Sequence, residues 1–153
     1  SISNQQSKVL ILGTMPGIVS LTLNQYYGHP RNAFWKLLFT IFDEPYSTDY
    51  EIRKKLVLKN NVALWDVLQN CVREGSLDSA IKNEIANDFE TFLKQHPNIN
   101  TILFNGQKAA AFFKKYVHLK NTYTLITLPS TSPANASKAF QSKLDEWKVI
   151  ASL

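Results

Sequence analysis

The sequence has one cysteine, Cys71, one methionine, Met15, and five glycines among 153 residues. A single thiol excludes an internal disulfide framework, a cysteine-built zinc site and an iron–sulfur cluster held by this chain, and it suits a reducing compartment. Histidine is scarce too: His29, His96 and His118 stand at no metal-ligand spacing, so no metal is expected. No apolar run approaches the roughly 20 residues that span a bilayer, so no membrane partner is expected. The opening segment Ser1–Lys8 is polar and does not read as a signal peptide. Repeats, low-complexity tracts and Pro/Gly/Ser-rich linkers are missing. What these absences leave is a single domain over residues 1–153. Its hydrophobic fraction is 44%, enough to bury a core without staples.

Acidic residues are unevenly scarce. Lysine and arginine number 17 against 12 aspartates and glutamates, a formal charge of +5. Up to Phe104 the two signs balance. From Asn105 onward seven lysines face only Asp145 and Glu146. A basic third of this kind fits an anionic partner such as nucleic acid, and equally a solvated lysine-rich face.

Four apolar runs read as strands: Val9–Leu12, Val62–Leu64 extending toward Leu68, Ile99–Phe104 and Tyr123–Leu128. Their continuous apolarity predicts burial on both faces, as in a parallel sheet. Between them, helical spacing predicts helices over Asn32–Phe42, Tyr50–Leu58 (after the cap candidates Thr48 and Asp49), Ile85–Leu93, Gln107–Val117 and Ser137–Ile150. Alternation of strand and helix implies right-handed crossovers and a three-layer α/β/α sandwich with a central, mainly parallel four-stranded sheet. In such sheets ligands bind beyond the carboxyl ends of the strands. That rule directs attention to Gly13–Gly17, Asp66–Asn70, Asn105–Gln107 and Pro129–Asn135.

Gly13-Thr14-Met15-Pro16-Gly17 is built for a tight turn and close backbone approach. It is neither a Walker loop nor a dinucleotide fingerprint. Tyr26-Tyr27-Gly28-His29-Pro30-Arg31-Asn32 mixes groups that stack on bases, meet phosphate and orient a water or a base edge. The plainer alternative makes Asn32 a helix cap and the tyrosines core. Pro129-Ser130-Thr131-Ser132-Pro133-Ala134-Asn135 is a stiff, hydroxyl-rich loop that either contacts phosphates or simply caps the last helix. Lys138 and Lys143 follow it and would make that edge electropositive. Asp66 has two readings, a base- or water-contacting carboxylate and a loop-organising one. No G-x-S-x-G elbow supports a serine triad.

Together these three segments resemble the motif set of the uracil-DNA glycosylase superfamily. Gly13–Gly17 resembles its G-x-x-P-G motif. His29-Pro30-Arg31-Asn32-Ala33-Phe34-Trp35 resembles the H-P-x-N-x-F-W stretch of the mismatch-specific branch. Leu128–Asn135 stands where the superfamily keeps its DNA-intercalating loop. The branch it resembles most is that of hypoxanthine-DNA (DNA-deoxyinosine) glycosylases, with its pattern G-[ST]-M-P-G, Q-Y-Y-x-H-P-R-N-x-F-W and L-P-S-T-S-P-A-N.

The resemblance implies a monofunctional, cofactor-free glycosylase. It would flip out a deaminated base, hypoxanthine or uracil, from single- or double-stranded damaged DNA and hydrolyse its N-glycosidic bond in base excision repair. Asn32 is the implied catalytic residue. Gly13, Thr14, Met15, Pro16, Gly17, Tyr27, Asp66 and Asn105 are the implied base pocket. His29, Arg31, Ser130, Thr131, Ser132, Pro133, Asn135 and Lys138 are the implied DNA contacts. Two departures stand out: Met15 occupies the place of the mismatch-specific branch's water-holding Asn, and Ser130 that of the loop's catalytic His. They keep open a noncatalytic nucleic-acid-binding module on the same fold. A small-molecule α/β enzyme would leave the second and third motifs unexplained. The expected protein is monomeric and intracellular, cytoplasmic in a prokaryote or nuclear in a eukaryote.

Overall fold

The computed structural model describes residues 1–69 and 84–153. Asn70 and Cys71, named above, lie outside the described residues. Four strands, β1 (Val9–Gly13), β2 (Val62–Asp66), β3 (Thr101–Asn105) and β4 (Thr124–Leu128), form one sheet in the order β2-β1-β3-β4. Every pairing in it is parallel, with Gly13 level with Asp66 and Asn105 level with Leu128. The register therefore brings the exits of β1, β2 and β3 to one edge.

Among the described residues six α-helices accompany the sheet: α1 (Ile18–Leu23), α2 (Phe34–Ile41), α3 (Tyr50–Lys59), α4 (Phe89–Gln95), α5 (Gln107–Tyr116) and α6 (Phe140–Trp147). Alternation along β1 separates two cores. Val9 and Ile11 pack with Phe34, Leu38, Leu56, Leu144 and Trp147, from α2, α3 and α6. Leu10 and Leu12 pack with Phe89, Phe92, Ala109 and Phe113, from α4 and α5. The expected three-layer sandwich is thus present, each layer held by apolar side chains removed from water at about 25 cal/mol per Å².

Edges are treated differently. Ile2 exchanges both backbone bonds with Leu64 (2.9 and 2.8 Å), covering the free side of β2. Strand β4 is the other edge, and there the expectation of burial on both faces fails: Thr124, Leu125 and Thr127 are exposed.

Two helix boundaries also need correction. Ile85–Asn87 is extended rather than helical, because Ala86 bridges Leu68 and the Asn87 amide donates to the carbonyls of Asp66 (2.8 Å) and Leu68 (3.3 Å). Asp88 then caps α4 by accepting from the Thr91 N–H at 3.1 Å. The last helix begins at Phe140, not Ser137, because a 3-10 turn over Pro133–Asn135 carries on into Lys138, whose N–H donates to the Asn135 carbonyl. Leu144, Trp147 and Ile150, at helical spacing, are buried, whereas Phe140 at the start is exposed and Lys143 is buried with them. The short α1 has no counterpart in the expected elements, and none of its residues is buried.

A cleft over a buried polar cluster

At the carboxyl edge of the sheet, three segments converge on one point. A side chain at Gly13 would place its Cβ 2.8 Å from Asp66 Oδ1 and 3.2 Å from the Tyr27 hydroxyl, so anything larger than glycine would displace the Asp66 carboxyl. The Val67 and Leu68 N–H groups donate to the Gly13 and Thr14 carbonyls (2.9 and 3.0 Å), extending the β1–β2 ladder into the loop. Met15 turns away from this point into the core with Leu10, Leu12 and Val67. It packs; it does not present a polar group. Pro16 and Gly17 are half-buried, and Gly17 leads into α1 with extended backbone.

Asp66 is 7% exposed, and burial pushes its carboxyl up to about 7, against a partial offset from the Ser1 amino group. Tyr27 sits above it with a left-handed backbone, φ +53°, a costly conformation for a tyrosine. Its ring stacks on Phe34 with centroids 4.0 Å apart and planes 22° apart. Its hydroxyl is buried without a hydrogen-bond partner among the described residues. Burial first, then the Asp66 carboxylate, raises the phenol well above its ordinary range. The Asn105 side chain lies close enough to offset part of that rise, yet its well-formed bonds run elsewhere: Nδ2 donates to Thr131 Oγ1 and Oδ1 accepts the Thr131 N–H, both at 2.9 Å.

Thr131 is 1% exposed, so it anchors the loop after β4 rather than facing outward. That loop is closed on itself. Ser130 Oγ accepts from the Ser132 N–H, Ser132 Oγ from the Ala134 N–H, and the Asn135 amide donates to the Ser130 carbonyl at 3.0 Å. Trp147 Nε1 ties its root by donating to the Pro129 carbonyl at 2.9 Å. Gly106, at φ +96°, lets the loop come down, since a Cβ there would lie 3.0 Å from Ser130 Cβ. Behind the loop, the expected electropositive edge does not form. Lys138 is paired with Glu146 at 2.8 Å, and Lys143 is 4% exposed, its ammonium held below the usual range by burial and then by Lys138.

Beside the cluster opens a cleft of about 260 Å³. It is lined by Gln25, Tyr27–Pro30, Asn32 and Trp35, together with Tyr46, Thr48 and Arg53. The Ala33 N–H donates to the Thr131 carbonyl at 3.0 Å, which docks the β4 loop next to Asn32. Asn32 Oδ1 accepts the N–H of Phe34 at 3.0 Å, opening α2. Both readings of Asn32 therefore meet in one side chain, for its Nδ2 has no protein acceptor among the described residues. His29 Nδ1 accepts the Arg31 N–H at 3.1 Å, so the neutral ring carries its proton on Nε2. Arg31 itself is exposed. The structure thus gathers Gly13, Tyr27, Asp66, Asn105 and Thr131 in the cluster and Tyr27, His29 and Asn32 in the cleft, with Tyr27 common to both. Tyr46, Thr48 and Arg53 were not foreseen. Nothing in their sequence separates them from an ordinary cap and helix face.

Comparison with known proteins decides the family. A family model for the uracil DNA glycosylase superfamily matches residues 1–153. The chain belongs to the uracil DNA glycosylase superfamily. Among curated members, a hypoxanthine DNA glycosylase of Methanosarcina barkeri (strain Fusaro / DSM 804) is 37% identical over 147 residues, covering 95% of this chain and 91% of that one. A hypoxanthine DNA glycosylase of Methanosarcina acetivorans is 34% identical over 151 residues, covering 98% and 94%. The solution NMR structure of a candidate uracil DNA glycosylase from Methanosarcina acetivorans superposes with a TM-score of 0.80 at 34% identity, covering 97% of this chain and 91% of that one. The superfamily fold accounts for the parallel sheet and for the motifs collected at its carboxyl edge. Among the described residues no His/Cys/Asp/Glu cluster could hold a metal, and no helix is long and apolar enough to cross a membrane.

Proposed function

We propose that this superfamily member is a monofunctional DNA glycosylase, a single domain over residues 1–153, that releases hypoxanthine, and also uracil, from DNA. The two bases share a carbonyl beside a ring N–H, so one amide-lined site serves both. Reaching the glycosidic bond requires the nucleotide to leave the stack, at a cost of a few kcal/mol that is smallest for a poorly paired base. Tyr27, backed by Phe34, offers the flipped base a ring face already fixed in orientation. Gly13–Gly17, Asp66 and Asn105 form the inner boundary of the base site. His29, Arg31 and the exposed parts of Ser130–Asn135 meet the strand.

The observation that carries this reading is the division of labour within Asn32. Its oxygen accepts the Phe34 N–H, and its unspent Nδ2 donors are available to the cleft that it lines. They can hold a water by its lone pair, and they can stabilise the negative charge that grows on the departing base while the sugar becomes oxocarbenium-like. No covalent nucleophile is needed, and no lysine stands in the motifs to act as one. The protein acts without cofactor or metal, as an intracellular monomer with damaged DNA as its partner.

Asn32→Asp tests this directly, because it keeps the oxygen that caps α2 and loses the amide hydrogens. Base release from a deoxyinosine duplex, read as alkali-labile breaks, should fall at least a hundredfold while gel retardation of the duplex persists. Breaks at the wild-type rate would refute the assignment. The buried Met15, which leaves the β1 loop without a polar side chain, favours one other reading, a noncatalytic nucleic-acid binder. Retardation without breaks in the wild-type protein would establish it.

A further inference from the structure

Arg53 is 7% exposed, yet no carboxylate pairs with it among the described residues. A buried cation normally has a counter-charge, because its desolvation costs several kcal/mol. Its hydrogen-bond and ring partners are neutral. Nε donates to the Ser47 carbonyl at 2.8 Å and Nη2 to the Tyr46 hydroxyl at 2.9 Å. The guanidinium carbon lies 5.5 Å from the Trp35 ring centroid and 5.6 Å from that of Tyr46. Those contacts fix the plane of the group and leave three of its five N–H donors unspent. Arg53 lines the same cleft as Asn32 and Tyr27, and no acidic side chain lines it. Its fixed, planar fork suits a tetrahedral oxyanion better than a flexible ammonium would.

We infer that Arg53 seats a phosphate oxyanion in this cleft, and that the phosphate is a backbone phosphodiester of the strand whose base is being removed. The inference rests on the glycosylase reading for the identity of that strand. Thr48 and Gln25, which also line the cleft, are neutral donors available to the same phosphate. A phosphate neutralised by Arg53 no longer helps a cationic sugar. Arg53 therefore acts in binding and register, and its loss appears in Kd rather than in kcat at saturating DNA.

The test is a coupling measurement. Deoxyinosine oligonucleotides carrying one uncharged methylphosphonate at successive positions around the lesion are titrated against wild-type protein, Arg53→Met and Arg53→Lys. One position should weaken wild-type binding about tenfold and have less than a twofold effect on Arg53→Met. The slope of log Kd against log salt should drop by about 0.7 to 0.9 in Arg53→Met and stay unchanged in Arg53→Lys. Additive losses at every position, or an unchanged salt slope in Arg53→Met, would overturn the inference. If Arg53→Met loses its circular dichroism signature, Arg53→Gln, which also removes the charge, takes its place in the same scan. Inorganic phosphate supplies the second arm: an Arg53-dependent change in tryptophan fluorescence with no coupled methylphosphonate would mark a site for free phosphate and refute the DNA assignment. Because Kd needs no turnover, failure of base release would leave this coupling readable, so the two readings fail separately.

Discussion

Replacing Asp66 by asparagine should stabilise the protein at neutral pH and change little at pH 4. The reason is the burial of the carboxyl at the exit of β2, which raises it from 3.8 to about 7. Between those values the folded chain keeps a proton that the unfolded chain has released. Stability therefore declines as pH rises through that window, by at most about 1.4 kcal/mol per pH unit, and levels off above about 7. The whole gap corresponds to about 4 kcal/mol. Asparagine has the same shape and no charge to desolvate, so the variant escapes the decline. The neighbouring phenols of Tyr26 and Tyr27 are pushed upward by burial and stay neutral throughout, so they do not confuse the readout. Urea unfolding of both proteins at half-unit steps from pH 4 to 8 gives the difference directly. It should grow from near zero to several kcal/mol in favour of Asp66→Asn. A difference flat to within about 0.5 kcal/mol across that range would refute the reasoning.

The buried cluster makes two further predictions. Tyr27→Phe removes a hydroxyl that is buried without a partner, so it should raise stability by about 1 kcal/mol and preserve base release. Tyr27→Ala also removes the stack on Phe34, should cost about 3 to 5 kcal/mol, and should slow single-turnover release far more. Equal losses in the two variants would assign the work to the hydroxyl. Thr131→Val leaves the Asn105 Nδ2 without its acceptor in a dry place, which should lower the urea midpoint by an amount worth about 1 to 3 kcal/mol. Activity should fall with it, as the loop next to Asn32 loses its anchor.

Strands and their exits were legible in the sequence because three of the four apolar runs end at turn-forming residues: Gly13, Asn105-Gly106 and Pro129-Ser130. The Asp49 cap was legible for the same local reason, and its side chain does accept the Glu51 N–H at 2.9 Å. What failed depends on distant partners. Ile85 has helical spacing to Phe89, but the backbone at Leu68 claims the segment, and Ile85 ends 56% exposed. Lys143 reads as a surface charge until the rotation of α6 is known. The seven lysines after Asn105 suggested where an anion would bind, whereas the buried cation that lines the cleft is Arg53, on the charge-balanced part of the chain. Its significance comes from Trp35 and Tyr46 closing on it from other segments, which no local pattern records.

The strand order has a consequence for synthesis. Strand β1 leaves the ribosome first, yet both of its sheet neighbours, β2 and β3, come later in the chain. Some ninety residues separate Gly13 from Asn105, which is on the order of ten seconds of translation. Until Val62–Asp66 is made, Val9-Leu10-Ile11-Leu12, buried on both faces in the finished protein, has neither sheet partner, and until Thr101–Asn105 is made it still lacks one. A nascent chain stalled before Thr101 would therefore hold this apolar strand with one side of its ladder unpaired.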